Sequence, residues 1–179
     1  MVITDVDQSR LDFAKAFAPG VQVYKVEMGK SPVECAEEIR LLYGCGPRDV
    51  AKGVPSPTEY FAPSTVLECT GIESSVVTAA FTCRRKGLVM VVGVGRATMN
   101  NIPFMHLSLA EIDLRFINRY HDTWPAAINA LSNGNVMNLD ALVTQTFELE
   151  KAVEAMELCA DPKQASVKVQ IVDNTQIVL

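Results

Sequence analysis

The stretch LVMVVGVG, residues 88–95, decides the fold class. Leu88 to Val92 is a continuous apolar run with no polar alternation, which is how a parallel strand covered on both faces reads. It stops at Gly93-Val94-Gly95. Upstream, Val77, Ala80 and Phe81 recur on one face of a helix expected from about Ser74 to Arg85. Before that, Thr65 to Glu68 is β-rich and ends at Cys69-Thr70-Gly71. Downstream, a helical turn from Phe104 to Ala110 leads to a strand over Ile112 to Ile117. Strand, helix, strand, helix, strand is the order of a parallel sheet with crossover helices.

The alternation continues in both directions. Val2-Ile3-Thr4 is a short strand closed by Asp5. From Asp7, Leu11, Ala14 and Ala18 recur at helical spacing beside Phe13 and Phe17, until Pro19-Gly20 stops them. Val21, Val23 and Val26 give a strand. Ser31-Pro32-Val33-Glu34 opens a helix, with Ser31 as cap, Pro32 in the first turn and Glu34 closing a capping box. Residues 44–63 hold three glycines and four prolines without a period and read as an exposed loop. Pro125 opens a helix that runs to Asn133-Gly134. Glu148 to Cys159 reads as a last helix and Val167 to Val172 as a final strand.

A chain of 179 residues, 49% apolar, is long enough for a sizeable core. No apolar run reaches the ~18 residues of a membrane span, and no secretory signal pattern is present. Net charge is −5, and the one basic cluster, Arg84-Arg85-Lys86, reads as complementing the negative end of the preceding helix, so a nucleic-acid partner is not expected. The cysteines, Cys35, Cys45, Cys69, Cys83 and Cys159, form no CxxC pair, and the histidines are His106 and His121. A closed zinc site is hard to build from that set, so no metal ligand is assigned. Unpaired thiols without a secretion signal suggest a reducing, cytoplasmic setting.

Candidate site residues cluster at strand ends. Asp5, after the first strand, is placed to accept hydrogen bonds from ribose hydroxyls and to repel a 2′-phosphate, and Arg10 could lie on an adenine. A turn acid and a solvated helix arginine explain the same residues, and a methyltransferase also uses an acid at this place. Gly93-Val94-Gly95 fails as a pyrophosphate cradle, because Thr98 stands at the third glycine position and no helix begins at once. It reads as a place where backbone approaches something closely. Cys69-Thr70-Gly71 ends a neighbouring strand, so the two loops could face one ligand. Asn118-Arg119-Tyr120-His121 could bind a polyhydroxylated substrate or form a salt-bridged turn before a helix capped by Asp122 or Thr123. His106 and Glu111 read as structural.

Asp5 with Arg10, VLECTGIESS, VMVVGVG, IPFMHLSLAEIDLRF, RYHDTWP and LVTQTFELEKAVEAMEL together resemble the medium-chain, zinc-dependent alcohol dehydrogenase superfamily. Within it the chain is most similar to the polyol branch of sorbitol, xylitol and L-arabinitol 4-dehydrogenases. That resemblance implies oxidation of a secondary hydroxyl of a sugar alcohol to a ketose, with hydride passing to NAD and a zinc ion polarising the alcohol. It implies cofactor contacts from Asp5, Arg10, Cys69, Thr70, Val92, Gly93, Val94, Ile117 and Asn118. Arg119 and Tyr120 would serve a hydrogen-bond network near the substrate. The region from Ile102 to Ile117 would carry subunit contacts in a homo-oligomer.

The resemblance also implies omissions. The sequence starts at what would be the second strand of a Rossmann-type doubly wound parallel sheet. The first strand, its glycine loop and the zinc ligands have no counterpart in it. The expected architecture is an incomplete dinucleotide-binding domain, residues 1–134, followed by 135–179 as a helix and strand returning toward a catalytic domain. Strand order 3-2-1-4-5-6 puts the first strand in the middle, so the first two strands here should be parted from the rest, leaving open edges. Such a chain is expected to be inactive alone. The alternative is a non-catalytic oligomerisation or binding module.

Overall fold

The computed structural model describes residues 1–48, 52–161, 164 and 166–173. In chain order the elements are β1 (Val2–Asp5), α1 (Gln8–Phe17), β2 (Gln22–Lys25), α2 (Pro32–Leu42), β3 (Thr65–Glu68), α3 (Glu73–Thr82), β4 (Leu88–Val91), α4 (Phe104–Leu109), β5 (Asp113–Phe116), α5 (Trp124–Ser132), β6 (Val143–Glu148), α6 (Ala152–Ala160) and β7 (Lys168–Val172). They form two compact units, residues 1–6 with 21–121, and residues 7–20 with 122–179.

The first unit is α/β, with two parallel sheets. β1 pairs with β2, and β3, β4 and β5 pair in that order. The expected division of the sheet is therefore present. Among the described residues β4 is the only strand of this unit flanked on both sides, and its Val89 and Val91 are buried among Val76, Ala79, Ala80, Cys83, Leu107, Ala110 and Ile112. Burial of each large aliphatic side chain there stabilises by about 1.5–3 kcal/mol. A second cluster packs Phe81 and Val77 of α3 on Ala36 of α2.

α2 begins as its sequence requires. Ser31 Oγ accepts from the Glu34 N–H at 3.2 Å, and Glu34 Oε2 accepts from the Ser31 N–H at 2.8 Å. α3 is shorter than expected and ends at Thr82. Cys83 turns to extended backbone, and the Arg84 N–H is taken by Pro63 O at 3.0 Å. The basic cluster does not complement the end of α3. That role falls to two distant arginines, Arg40 donating to Thr82 O at 3.3 Å and Arg48 donating to Phe81 O. Arg85 instead donates to Leu109 O at 2.7 Å, at the end of α4.

Inside the expected 44–63 loop, Glu59–Phe61 forms a turn of 3₁₀ helix, while residues 49–51 lie outside the described set. Glu59 is buried there against Arg40 at 2.6 Å, with side chains 6% and 1% exposed.

The second unit joins β6 and β7 in parallel, with a register shift between Val143 and Gln145. β6 is a strand that periodicity alone missed, although Val143, Gln145 and Phe147 alternate half-buried with exposed neighbours. The expected helix from Glu148 starts as a 3₁₀ turn over Leu149–Lys151 and becomes α-helical at Ala152. α1 is capped by Asp7, whose carboxylate accepts from the Ser9 and Arg10 N–H groups at 2.7 and 3.3 Å.

Candidate functional site at the strand ends

The carboxyl ends of β3, β4 and β5 lie side by side, because the three strands are paired in register, Glu68 with Val91 and Val91 with Phe116. In a parallel sheet with crossover helices this edge is where ligands bind. It carries Cys69 and Thr70, then Val92 to Val94, then Ile117 to Tyr120.

Glu68 organises the edge, and sequence reasoning passed over it. Its side chain is buried, and its carboxylate accepts from the Thr70 N–H at 2.9 Å, the Thr70 hydroxyl at 2.5 Å and the Gly71 N–H at 3.0 Å. Burial pushes this carboxyl up. Hydrogen bonds from Thr70, Gly71 and Ser75 outweigh burial and hold it below the usual carboxylate range. The acid inside ECTG is the signal that could have found it.

The close approach demanded by Gly93-Val94-Gly95 is to the protein's own backbone. A Cβ on Gly71 would lie 2.6 Å from Gly95 N, and one on Gly93 would lie 2.6 Å from Thr70 N. Both are shorter than real Cβ contacts allow. Gly71 also has φ +71°, which L side chains rarely adopt. The two loops are thus stacked on each other, and the glycines offer no open phosphate nest. Glu73 ties down the next loop by accepting from the Asn100 and Asn101 N–H groups at 3.0 and 3.1 Å.

Outward the edge presents Val92, Val94 and Ile117 with the exposed polar side chains Thr70, Asn118 and Arg119 beside them in sequence. Val94 is 94% exposed, and Val92 and Ile117 are half exposed. Tyr120 is largely exposed beside them in sequence, after Arg119, whose backbone is left-handed at φ 54°. A non-glycine residue held there is an uncommon conformation. Cys69 is exposed, and its thiol is pushed up by loss of water and by the Glu68 charge, so it stays protonated at neutral pH. Asp5 ends β1 opposite Lys25 of β2. Arg10 stands on α1, in the other unit.

The apolar shelf of Val92, Val94 and Ile117 suits a flat ring such as nicotinamide, whereas the filled glycine turns do not suit a pyrophosphate. Among the described residues no three His, Cys, Asp or Glu side chains come together to hold a metal ion, so a zinc ion does not fit here.

No protein-family model matches the chain. An L-arabinitol 4-dehydrogenase of Penicillium rubens is 44% identical over 176 residues, which is 98% of this chain and 43% of that protein. A sorbitol dehydrogenase of Mus musculus is 36% identical over 96% of this chain and 42% of its own. Over nearly its whole length the chain is therefore similar to curated polyol dehydrogenases. It spans less than half the length of the curated relatives it matches. The solved 2R,3R-butanediol dehydrogenase of Bacillus subtilis shares the fold, with a TM-score of 0.73 at 17% identity over 97% of this chain and 43% of that one.

Proposed function

We propose that this chain is the cofactor-facing part of an NAD-dependent polyol oxidation, in which a secondary hydroxyl of a sugar alcohol such as L-arabinitol, sorbitol or xylitol becomes a ketone. The observation that carries the reading is the 44% identity to an L-arabinitol 4-dehydrogenase across 98% of the chain. The shelf of Val92, Gly93, Val94 and Ile117 would hold the nicotinamide flat, with Cys69, Thr70 and Asn118 at its margins. Asp5 would accept from the adenosine ribose and exclude a 2′-phosphate. Arg119 and Tyr120 would orient the polyol by hydrogen bonds. The family's zinc would polarise the alcohol, and since it does not fit the described residues no step is assigned to it here. The chain alone is expected to turn nothing over. Its unpaired cysteines suit a reducing compartment, so we place it in the cytoplasm.

Amide chemical shifts during an NAD titration test the reading. Shifts at Asp5, Thr70, Val94, Ile117 and Asn118, with the Asp5 shift weaker for NADP, are expected. No response at those residues in millimolar NAD would overturn it.

A second reading has its own observation. β5 is a sheet edge, and the 102–117 region exposes Phe104, Met105, Leu109 and Phe116. Such an apolar edge fits self-association. Light scattering of the chain, with Phe116→Lys as the disrupting variant, distinguishes a subunit-contact module from a monomer.

A further inference from the structure

A hollow of about 340 Å³ opens in the first unit. Its wall includes Cys83 and Arg85, which lead into β4, and Leu109 and Ala110, which lead into β5. It therefore lies at the amino ends of those strands, the opposite end from Val94 and Ile117.

Two arginines of the wall have N–H groups to spare. Arg48 donates through Nε to Glu37 at 2.6 Å and through Nη2 to Phe81 O. Its side chain is only 5% exposed, yet its Nη1 has no partner among the described residues. An N–H of so enclosed a guanidinium calls for an acceptor, and the hollow that Arg48 lines is where one can stand. Arg85 donates through Nη2 to Leu109 O at 2.7 Å, and its Nε and Nη1 have no partner among the described residues.

The carboxylates nearby are already engaged. Glu59 accepts from Arg40 at 2.6 Å through Oε2 and from the Arg85 N–H at 2.9 Å through Oε1. Arg40 thus cancels Glu59, and Arg48 cancels Glu37. Lys52 also lines the hollow and has an interaction of its own. Arg85 is left as the guanidinium of the wall with no carboxylate partner among the described residues. One unmet positive charge suits a monoanion better than a dianion such as phosphate. Apolar surface completes the wall. Val54, Pro55 and Phe81 supply it, with the Phe81 ring packed on His106 at 4.3 Å and 5.8 Å from the Arg48 guanidinium carbon. A pocket of this kind holds an apolar body and orients it by a few polar groups.

We infer that this hollow binds a small organic monocarboxylate, whose carboxylate accepts from the spare N–H groups of Arg85 and Arg48 and whose apolar body lies on Phe81, Val54 and Pro55. The planar fork of a guanidinium matches a carboxylate. None of the residues assigned to the cofactor or the polyol lines the hollow, so the inference is independent of the polyol reading, and the ligand would not compete with NAD.

The probe is benzoate, added to the whole chain and followed by amide chemical shifts. Saturable shifts at Cys83, Arg85 and His106 in the millimolar range are expected, with Val94 and Ile117 unmoved. Benzamide keeps the ring without the charge, and inorganic phosphate keeps the charge without the ring. Each should bind more weakly than benzoate by about tenfold or more. Arg85→Gln should weaken benzoate by a similar factor and leave benzamide unchanged. The inference is overturned by no saturable shift, by benzamide or phosphate binding as well as benzoate, by benzoate moving Val94 and Ile117 instead, or by unchanged affinity in Arg85→Gln; the benzamide comparison decides even if that variant fails to fold.

Discussion

Replacing Arg40 by methionine should cost the first unit about 3–5 kcal/mol, the usual result of leaving one half of a buried ion pair behind. Arg40 and Glu59 meet at 2.6 Å with almost no solvent access. Their bond joins α2 to the 3₁₀ turn before β3. Arg40 also holds Thr82 O, and Glu59 Oε1 accepts from the Arg85 N–H at 2.9 Å, so the pair sits at the centre of a network. Its strength is not maximal, since Arg40 Nε has no partner. Glu59→Gln should cost a similar ~3–5 kcal/mol by stranding the guanidinium. The double variant should be far milder than the sum. It strands no charge, and its main loss is the Thr82 O partner, about 1 kcal/mol. A coupling energy of at least ~3 kcal/mol is expected. The assay must watch the right unit. Trp124, the sole tryptophan, stands on α5 in the other unit and is no local probe of this network. Amide exchange at Val89 and Ala80, in denaturant, reports the affected core. Single costs that add to the double within ~0.5 kcal/mol would refute the network.

Glu68→Gln should loosen the 69–71 turn and destabilise by about 1.5–3 kcal/mol, the worth of a hydrogen bond to a charged group, read by exchange at Gly71. Because the folded carboxyl titrates below its ordinary value of 4.5, its contribution is complete above that pH and is lost as pH falls through the folded value; the variant should therefore show a shallower acid limb than the parent in a stability profile. His106 behaves alike for a different reason. Its ring packs on Phe81 at 4.3 Å, and burial together with Arg48 lowers its pKa below 6.5, so protonation favours the unfolded chain and stability falls below about that pH; His106→Leu should remove that part of the acid sensitivity. Gly71→Ala should cost more than ~2 kcal/mol, since the new Cβ meets Gly95 backbone at a left-handed φ, and an unchanged melting temperature would contradict the stacked loops.

Legibility followed periodicity. β4 announced itself because an uninterrupted apolar run has few other uses, and α2 because its cap, proline and capping box agree. β6 was missed because its half-buried face, Val143, Gln145 and Phe147, carries a polar residue in the middle and so shows only two apolar positions. The end of α3 was missed because nothing local stops it. The chain leaves the helix to reach Pro63 O, a tertiary bond with no sequence signal. The same holds for its C-terminal carbonyls. Nearby basic residues were the economical local guess, yet Arg40 and Arg48 arrive from elsewhere in the fold. Of the site, the strand-end positions were legible from topology, while Glu68 and Glu73 were not, because their roles are hydrogen bonds to backbone that only the folded loops create.

The glycines at 71, 93 and 95 carry the last step. A glycine-rich strand end can spare its bare backbone for a phosphate or spend it on another loop, and the two uses exclude each other. Here the Cβ positions of all three are occupied by neighbouring backbone, and Glu68 takes the Thr70 and Gly71 N–H groups. Those two donors are therefore not open to an anion. The edge is consequently stiff and offers side chains, Val92, Val94 and Ile117, in place of N–H groups. A stiff apolar shelf suits a planar ring, whose position must be fixed for hydride transfer, better than it suits a charged diphosphate. Recognition of a dinucleotide through this chain should therefore show most of its contact at the ring end, and a nicotinamide mononucleotide should shift Val94 and Ile117 nearly as much as NAD does.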